Sequence, residues 1–154
     1  MSLTDLIGQD AIIASLKASS KKQVIQEMAE VAASITNLPV RLIFEQLLQR
    51  ERLGSTGIGH GIAIPHARIN GIYQIAGVFA RLDRPIEFDA VDDEPVDLVF
   101  MLLAPEGEGA DHLKALARIA RVLRDPENTG KLRASRDAGA IYGVLNAPAT
   151  SNAA

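Results

Sequence analysis

The run Val96-Asp97-Leu98-Val99-Phe100-Met101-Leu102-Leu103 is apolar at every position but one. It is far too short to span a membrane, and it lacks the alternation of a strand with one wet face. Successive strand residues point to opposite faces, so an unbroken apolar run predicts a central strand covered on both sides. A chain that carries such a strand needs helices to cover it, and its flanks supply them.

Upstream, Val24, Ile25, Met28, Val31, Ala32 and Ile35 recur at helical spacing after Ser19-Ser20. Asn37-Leu38-Pro39 breaks that helix. A second helix follows, with Leu42, Ile43, Leu47 and Leu48 as its apolar face and Arg41, Glu45 and Gln49 opposite. Before both, Ile12, Ile13 and Leu16 suggest a short strand or turn. Strand-like segments cluster centrally: Ile75 to Leu82, then Ile86 to Phe88 after an expected turn at Asp83-Arg84-Pro85, then the run from Val96. Helices return with Leu113, Leu116, Ile119, Ala120 and Leu123, where Asp111 is the expected cap. Asp125-Pro126 ends that helix, and two shorter ones are expected around Asn128 to Leu132 and Asp137 to Leu145. The expected fold is a single α/β domain over residues 1–146, a mixed parallel and antiparallel sheet flanked by helices. Residues 147–154 are small and polar and are expected to form a flexible tail.

Composition narrows the function classes. The formal charge is −3, so no global basic field favours nucleic acid or an anionic membrane. The chain contains no cysteine, which excludes disulfides, thiolate catalysis and thiolate metal sites. Met1-Ser2-Leu3-Thr4-Asp5 lacks the basic start and apolar stretch of a secretory signal, so a cytoplasmic protein without membrane insertion is expected.

The chemistry concentrates before the central strands. Gly54-Ser55-Thr56-Gly57-Ile58-Gly59 leads through His60-Gly61 into Ile62-Ala63-Ile64, an apolar run that stops at Pro65 and is followed by His66. Taken alone, His66 is as readily a strand-end residue bonded to the backbone as a reactive one. Neutral imidazole is nevertheless a good nucleophile at physiological pH, and glycine loops let backbone N–H groups approach phosphate. A strand-end histidine beside such a loop suits phosphoryl uptake. Ser55, Thr56, Gly57 and Gly59 are candidate donors to the phosphate, although hydroxyls in such loops commonly form turns. His60 alone suits a solvent-facing turn. His112, beside a helix start, suits a surface position, where the helix dipole lowers its pKa. Arg50, Glu51 and Arg52 end an amphipathic helix and by themselves suit a solvated face, but an arginine near His66 would pair with phosphate through its planar fork of donors. A zinc site built on His60, His66 and His112 is disfavoured, because His60 and His66 fall at opposite ends of a short strand. No Walker loop or dinucleotide fingerprint is present, so no cofactor is expected and the phosphate is expected to arrive from a protein.

The stretch from Glu51 to Ala67 resembles the phosphorylation signature of enzyme IIA proteins of the bacterial phosphotransferase system, fructose/mannitol class. Glu51, Ile58-Gly59, Ile62-Ala63-Ile64-Pro65-His66 and the small residue Ala67 match its hallmarks. The run Leu53-Gly54-Ser55-Thr56-Gly57-Ile58-Gly59 after Arg50-Glu51 resembles the nitrogen-regulatory branch. The order of elements along nearly the whole chain agrees.

The resemblance implies a mannitol-type enzyme IIA fold. It implies that His66 accepts phosphate on Nε2 from a phosphorylated histidine phosphocarrier of the HPr type. It places His112 at a second active-site histidine that stabilises the phosphoryl group or His66, and Arg50 at the family's arginine near the site. His60 falls at a variable position and gains no role. Regulatory targets, with sensor kinases and potassium transport among them, would respond to the phosphorylation state. Two alternatives remain at this stage, a sugar-transport IIA component that passes phosphate to a separate partner and a binding-only regulator.

Overall fold

A computed structural model describes residues 6–107 and 109–146; the expected tail, 147–154, lies outside them. After a short 3-10 turn at Gln9–Ala11 come β1 (Ile12–Leu16), α1 (Lys21–Thr36) and α2 (Val40–Leu53). The strands β2 (Gly57–Gly59), β3 (Ile62–Ala63), β4 (His66–Ile69), β5 (Ala76–Ile86) and β6 (Val96–Pro105) follow. The chain closes with α3 (Gly109–Arg124), α4 (Pro126–Ala134) and α5 (Ala138–Leu145).

These elements start and stop for local reasons. Ser20 caps α1 by accepting from the Gln23 N–H, and Asn37, in the left-handed region at φ 63°, ends it. Asp125 and Asp137 cap α4 and α5 through their carboxylates. Helix α3 starts at Gly109, before the expected cap. Asp111 therefore sits in its first turn, where a carboxylate complements the helix dipole.

The six strands form one mixed sheet in the order β1-β5-β6-β3-β2, with β4 also on β6. Strand β1 runs parallel to β5, and β5 antiparallel to β6. From Leu98 to Ala104 no residue of β6 exposes more than 1% of its surface. Since alternate residues face opposite ways, both faces of β6 are covered, as the apolar run requires. Phe79 and Phe100 pack edge-on inside this core with ring centroids 6.2 Å apart.

Two expectations about strands are corrected. Asp83-Arg84-Pro85 does not turn the chain, because β5 continues to Ile86 with a register irregularity between Arg81 and Ile86. A bulged segment tolerates proline, and Asp83 is held there by the Ser15 hydroxyl and by Arg81. Nor does His66 mark the point where the chain leaves the sheet. Strands β3 and β4 both run parallel to β6, β3 pairing with Leu98 and Val99 and β4 with Leu102 to Pro105. Ile64-Pro65 separates them because proline has no N–H for the ladder, but the Pro65 carbonyl still accepts from the Leu102 N–H at 2.9 Å. His66 therefore opens a strand, which fixes its backbone on both sides.

Candidate active site

The side chain of His66 is fixed by its own strand entry. Its Nδ1 lies 2.8 Å from the Ile64 carbonyl oxygen. A carbonyl only accepts, so Nδ1 carries the proton and the neutral ring leaves its lone pair on Nε2. Burial is the main influence on the His66 pKa and lowers it from 6.5. The Ile64 bond opposes that effect, Arg50 adds to it, and Glu51 acts against it. The net effect keeps the ring neutral and nucleophilic.

His66 lines a cleft of about 690 Å³ walled by three elements. Helix α2 contributes Arg50, Arg52 and Leu53, strand β4 contributes His66 and Arg68, and α3 contributes His112 and Leu113. The cleft thus collects three arginines, and no carboxylate is among its described lining residues. The chain as a whole is acidic, so this is a local field suited to an anion.

The expected surface position of His112 is corrected. His112 occupies the first turn of α3 and is only 5% exposed. Its ring meets that of His66 edge-on, with centroids 5.4 Å apart and planes at 79°. Burial, then the neighbouring His66 and Arg68, lower its pKa to about 4. Arg68 Nε donates to its Nδ1 at 3.4 Å, while its Nε2 is buried without a hydrogen-bond partner among the described residues.

Arg50 lines the same cleft, with Nη1 donating to the Gly54 carbonyl at 2.9 Å. That contact ties the end of α2, and among the described residues no other acceptor engages the guanidinium, whose remaining donors suit an anion. The solvated-face reading of Arg50-Glu51-Arg52 fails at Glu51, which is buried. It continues the stripe of Ile43 and Leu47 at helical spacing, whereas Leu42, expected on that face, is partly exposed.

The glycine-loop residues are not brought to the cleft. Glu51 receives both the Thr56 N–H and the Thr56 hydroxyl. The Ser55 hydroxyl donates to the Phe88 carbonyl at 2.7 Å and accepts from the Gly57 N–H at 3.0 Å. A Cβ at Gly57 would lie 2.8 Å from that of Ala90, so this glycine serves close packing. Gly59 pairs with Ile62 in the β2–β3 hairpin and lines a separate cavity with His60. Ser55, Thr56, Gly57 and Gly59, expected as a phosphate cradle, do not line the cleft of His66, and the Ser55 and Thr56 hydroxyls and the Thr56 and Gly57 N–H groups are engaged elsewhere.

Arg68 escaped the sequence reading. The available signal was its place two residues after His66, which in a strand puts both side chains on one face.

The family model for "Phosphoenolpyruvate-dependent sugar phosphotransferase system, EIIA 2" matches residues 5–147. The chain belongs to this enzyme IIA family. Within the type-2 enzyme IIA proteins it resembles the nitrogen-regulatory kind. It is 60% identical over 148 residues to the nitrogen regulatory protein of Bradyrhizobium diazoefficiens, covering 96% of this chain and 97% of the relative. The crystal structure of nitrogen regulatory protein IIA-Ntr from Neisseria meningitidis superposes with a TM-score of 0.88 at 34% identity. That match covers 93% of this chain and 98% of the other. The mannitol IIA protein of Escherichia coli shares the fold, with a TM-score of 0.76 at 21% identity over 90% of this chain and 97% of that one. The mixed sheet flanked by helices is thus the enzyme IIA fold expected from the sequence.

Proposed function

We propose that His66 is the phosphoryl acceptor of this enzyme IIA protein, taking its phosphate from a phosphorylated histidine phosphocarrier. The observation that carries the reading is the bond from His66 Nδ1 to the Ile64 carbonyl, which leaves Nε2 as the free nucleophile. In the transfer, the Nε2 lone pair forms an N–P bond as the donor's N–P bond breaks, and that electron pair returns to the donor imidazole. The acceptor ring keeps its Nδ1 proton on Ile64, which steadies the positive charge the ring gains. Arg50 and Arg68 face the transferred charge, and His112 supplies a neutral donor beside it. Such transfer depends mainly on positioning and electrostatic stabilisation.

The output is regulatory. Phosphorylation adds roughly one and a half to two negative charges at neutral pH, placed in a cleft rimmed by arginines and by the exposed Leu53 and Leu113. Partner proteins that dock there would distinguish the two states without any refolding of the domain. The 60% identity to a nitrogen regulatory protein supports this output over sugar transport.

The test is intact-protein mass after incubation with a phosphorylated histidine phosphocarrier. Wild type is expected to gain one acid-labile phosphate and His66→Ala none, with the fold of the variant verified. Full labelling of His66→Ala would move the acceptor to another residue. Failure of wild type with several active donors would leave a binding-only regulator.

A further inference from the structure

We infer that Arg68 is a positioning residue that fixes the tautomer of His112, so that His112 presents an Nε2–H donor to the phosphoryl group on His66. The catalytic part rests on phosphoryl acceptance at His66, whereas the tautomer does not.

Along β4, the small or apolar Ala67 and Ile69 turn into the core, and His66 and Arg68 alternate with them on the other face. That alternation delivers Arg68 to the same cleft as the two histidines. Its Nε lies 3.4 Å from His112 Nδ1. A guanidinium is always charged and can only donate, so Nδ1 must offer a lone pair. His112 is neutral at physiological pH, with its pKa lowered to about 4. One ring proton remains, and it resides on Nε2.

This assignment explains an otherwise costly feature. His112 Nε2 is buried and, among the described residues, bonds to nothing. A buried donor without an acceptor is unfavourable, and such groups collect at sites that await a ligand. The ring that carries it meets His66 edge-on at 5.4 Å. A phosphoryl group on His66 brings three acceptor oxygens into that space. The same donor is lost if His112 adopts the other tautomer, because an unprotonated Nε2 would then face the phosphoryl oxygens and repel them. Arg68 prevents this by occupying Nδ1. Among the described residues, its remaining guanidinium N–H groups bond to no protein atom, so they are also available to the anion.

The test uses protein labelled with 15N in its histidine rings, in the unphosphorylated state at neutral pH. Long-range 1H–15N correlation reports which ring nitrogen bears the proton, and His112→Gln assigns the signal by its loss. In wild type, His112 is expected to show a protonated Nε2 and an unprotonated Nδ1. Arg68→Lys, which keeps a cationic donor, is expected to retain that pattern. Arg68→Leu is expected to give averaged shifts from exchange between tautomers, and single-turnover acceptance about tenfold slower, the scale of one lost charge-assisted hydrogen bond. Arg68→Lys should recover part of that loss. Backbone amide spectra establish that each variant is folded. A protonated Nδ1 in wild type, or an unchanged His112 pattern in Arg68→Leu, overturns the assignment. A changed tautomer with an unchanged rate overturns the catalytic role. If wild type shows the expected tautomer but takes no phosphate from any donor, acceptance at His66 fails and the structural assignment survives.

Discussion

Lys21, at the start of α1, meets the buried carboxylate of Glu51 at the end of α2, with Nζ 2.7 Å from Oε2. The same carboxylate holds the N–H and the hydroxyl of Thr56, so one side chain ties two helices to the loop that enters β2. Removing one member of such a pair leaves the other charge and two donors without their partner. Because Lys21 keeps some contact with solvent, Glu51→Ala should lower stability by about 2–3 kcal/mol, below the range for fully buried pairs. Glu51→Gln keeps an acceptor for Thr56 and should lose about half as much. Urea unfolding measures both. Equal midpoints for wild type and Glu51→Ala would show that the pair does not hold the loop.

Gly61 is held in the left-handed region at φ +80° beneath the ion pair of Arg133 and Asp97. A Cβ there would lie 2.5 Å from Arg133 Nη2 and 2.9 Å from Asp97 Oδ1. Arg133 is not free to swing away, since it grips Asp97 through Nε and Nη2 and donates to the His60 carbonyl at 2.7 Å. Gly61→Ala therefore combines backbone strain of about 1 kcal/mol with a broken contact, for a total of about 2 kcal/mol. In an Asp97→Ala background the same substitution should cost less, because the arginine can then move. Thermal or urea unfolding of the four proteins in this cycle measures the coupling, and strictly additive losses would exclude it.

The central strand was legible because burial on both faces leaves no polar positions, and from Leu98 to Ala104 the sequence has none. Helix starts near Ser20 and Asp137 were legible because apolar residues recur at helical spacing after them, whereas the one cap expected from the sequence, Asp111, falls inside the first turn of α3. His66 was legible as the candidate acceptor, but its backbone was not. Proline marks an interruption in a ladder without telling whether the strand resumes, and here it resumes along β6. The placement of the glycine loop was not legible. Its composition advertises free N–H donors, yet Glu51 and Ser55 consume those of Thr56 and Gly57 through contacts set by the fold. Burial of His112 also needed three dimensions, because it arises where the first turn of α3 closes against β4 rather than from any periodicity.

Protonation of His112 should make the fold weaken in mild acid. Its native pKa lies near 4, below the ordinary 6.5, and that of His66 is lowered as well. Above 6.5 both the folded and the unfolded chain hold these rings neutral, and the stabilisation is complete. As the pH falls from 6.5 toward 4, the unfolded chain binds protons that the native state resists, so stability declines through that window. Arg50 and Arg68 face the two rings and reinforce the resistance, while Glu51 acts against it at His66. Urea midpoints across this range should fall less steeply for His112→Gln than for wild type. Parallel profiles would mean that His112 titrates normally in the native protein.

Docking and chemistry should separate at the rim of the cleft. Leu53 and Leu113 border it from α2 and α3, and they are 85% and 65% exposed. Neither carries a group that acts on phosphate, but together they offer an apolar surface that a protein donor can cover. Leu113→Asp places a negative charge among the arginines and removes apolar contact area, with an expected cost of about 1–2 kcal/mol in docking. With a phosphorylated histidine phosphocarrier, kcat/KM for labelling should fall about tenfold, chiefly through KM. With phosphoramidate, a small donor that needs no protein surface, the rate should change no more than about twofold, through the added charge alone. His112→Ala should behave differently and slow acceptance from both donors if, as proposed, His112 donates a hydrogen bond to the phosphoryl group. Equal losses for Leu113→Asp with the two donors would place Leu113 in the chemistry of His66 rather than in docking.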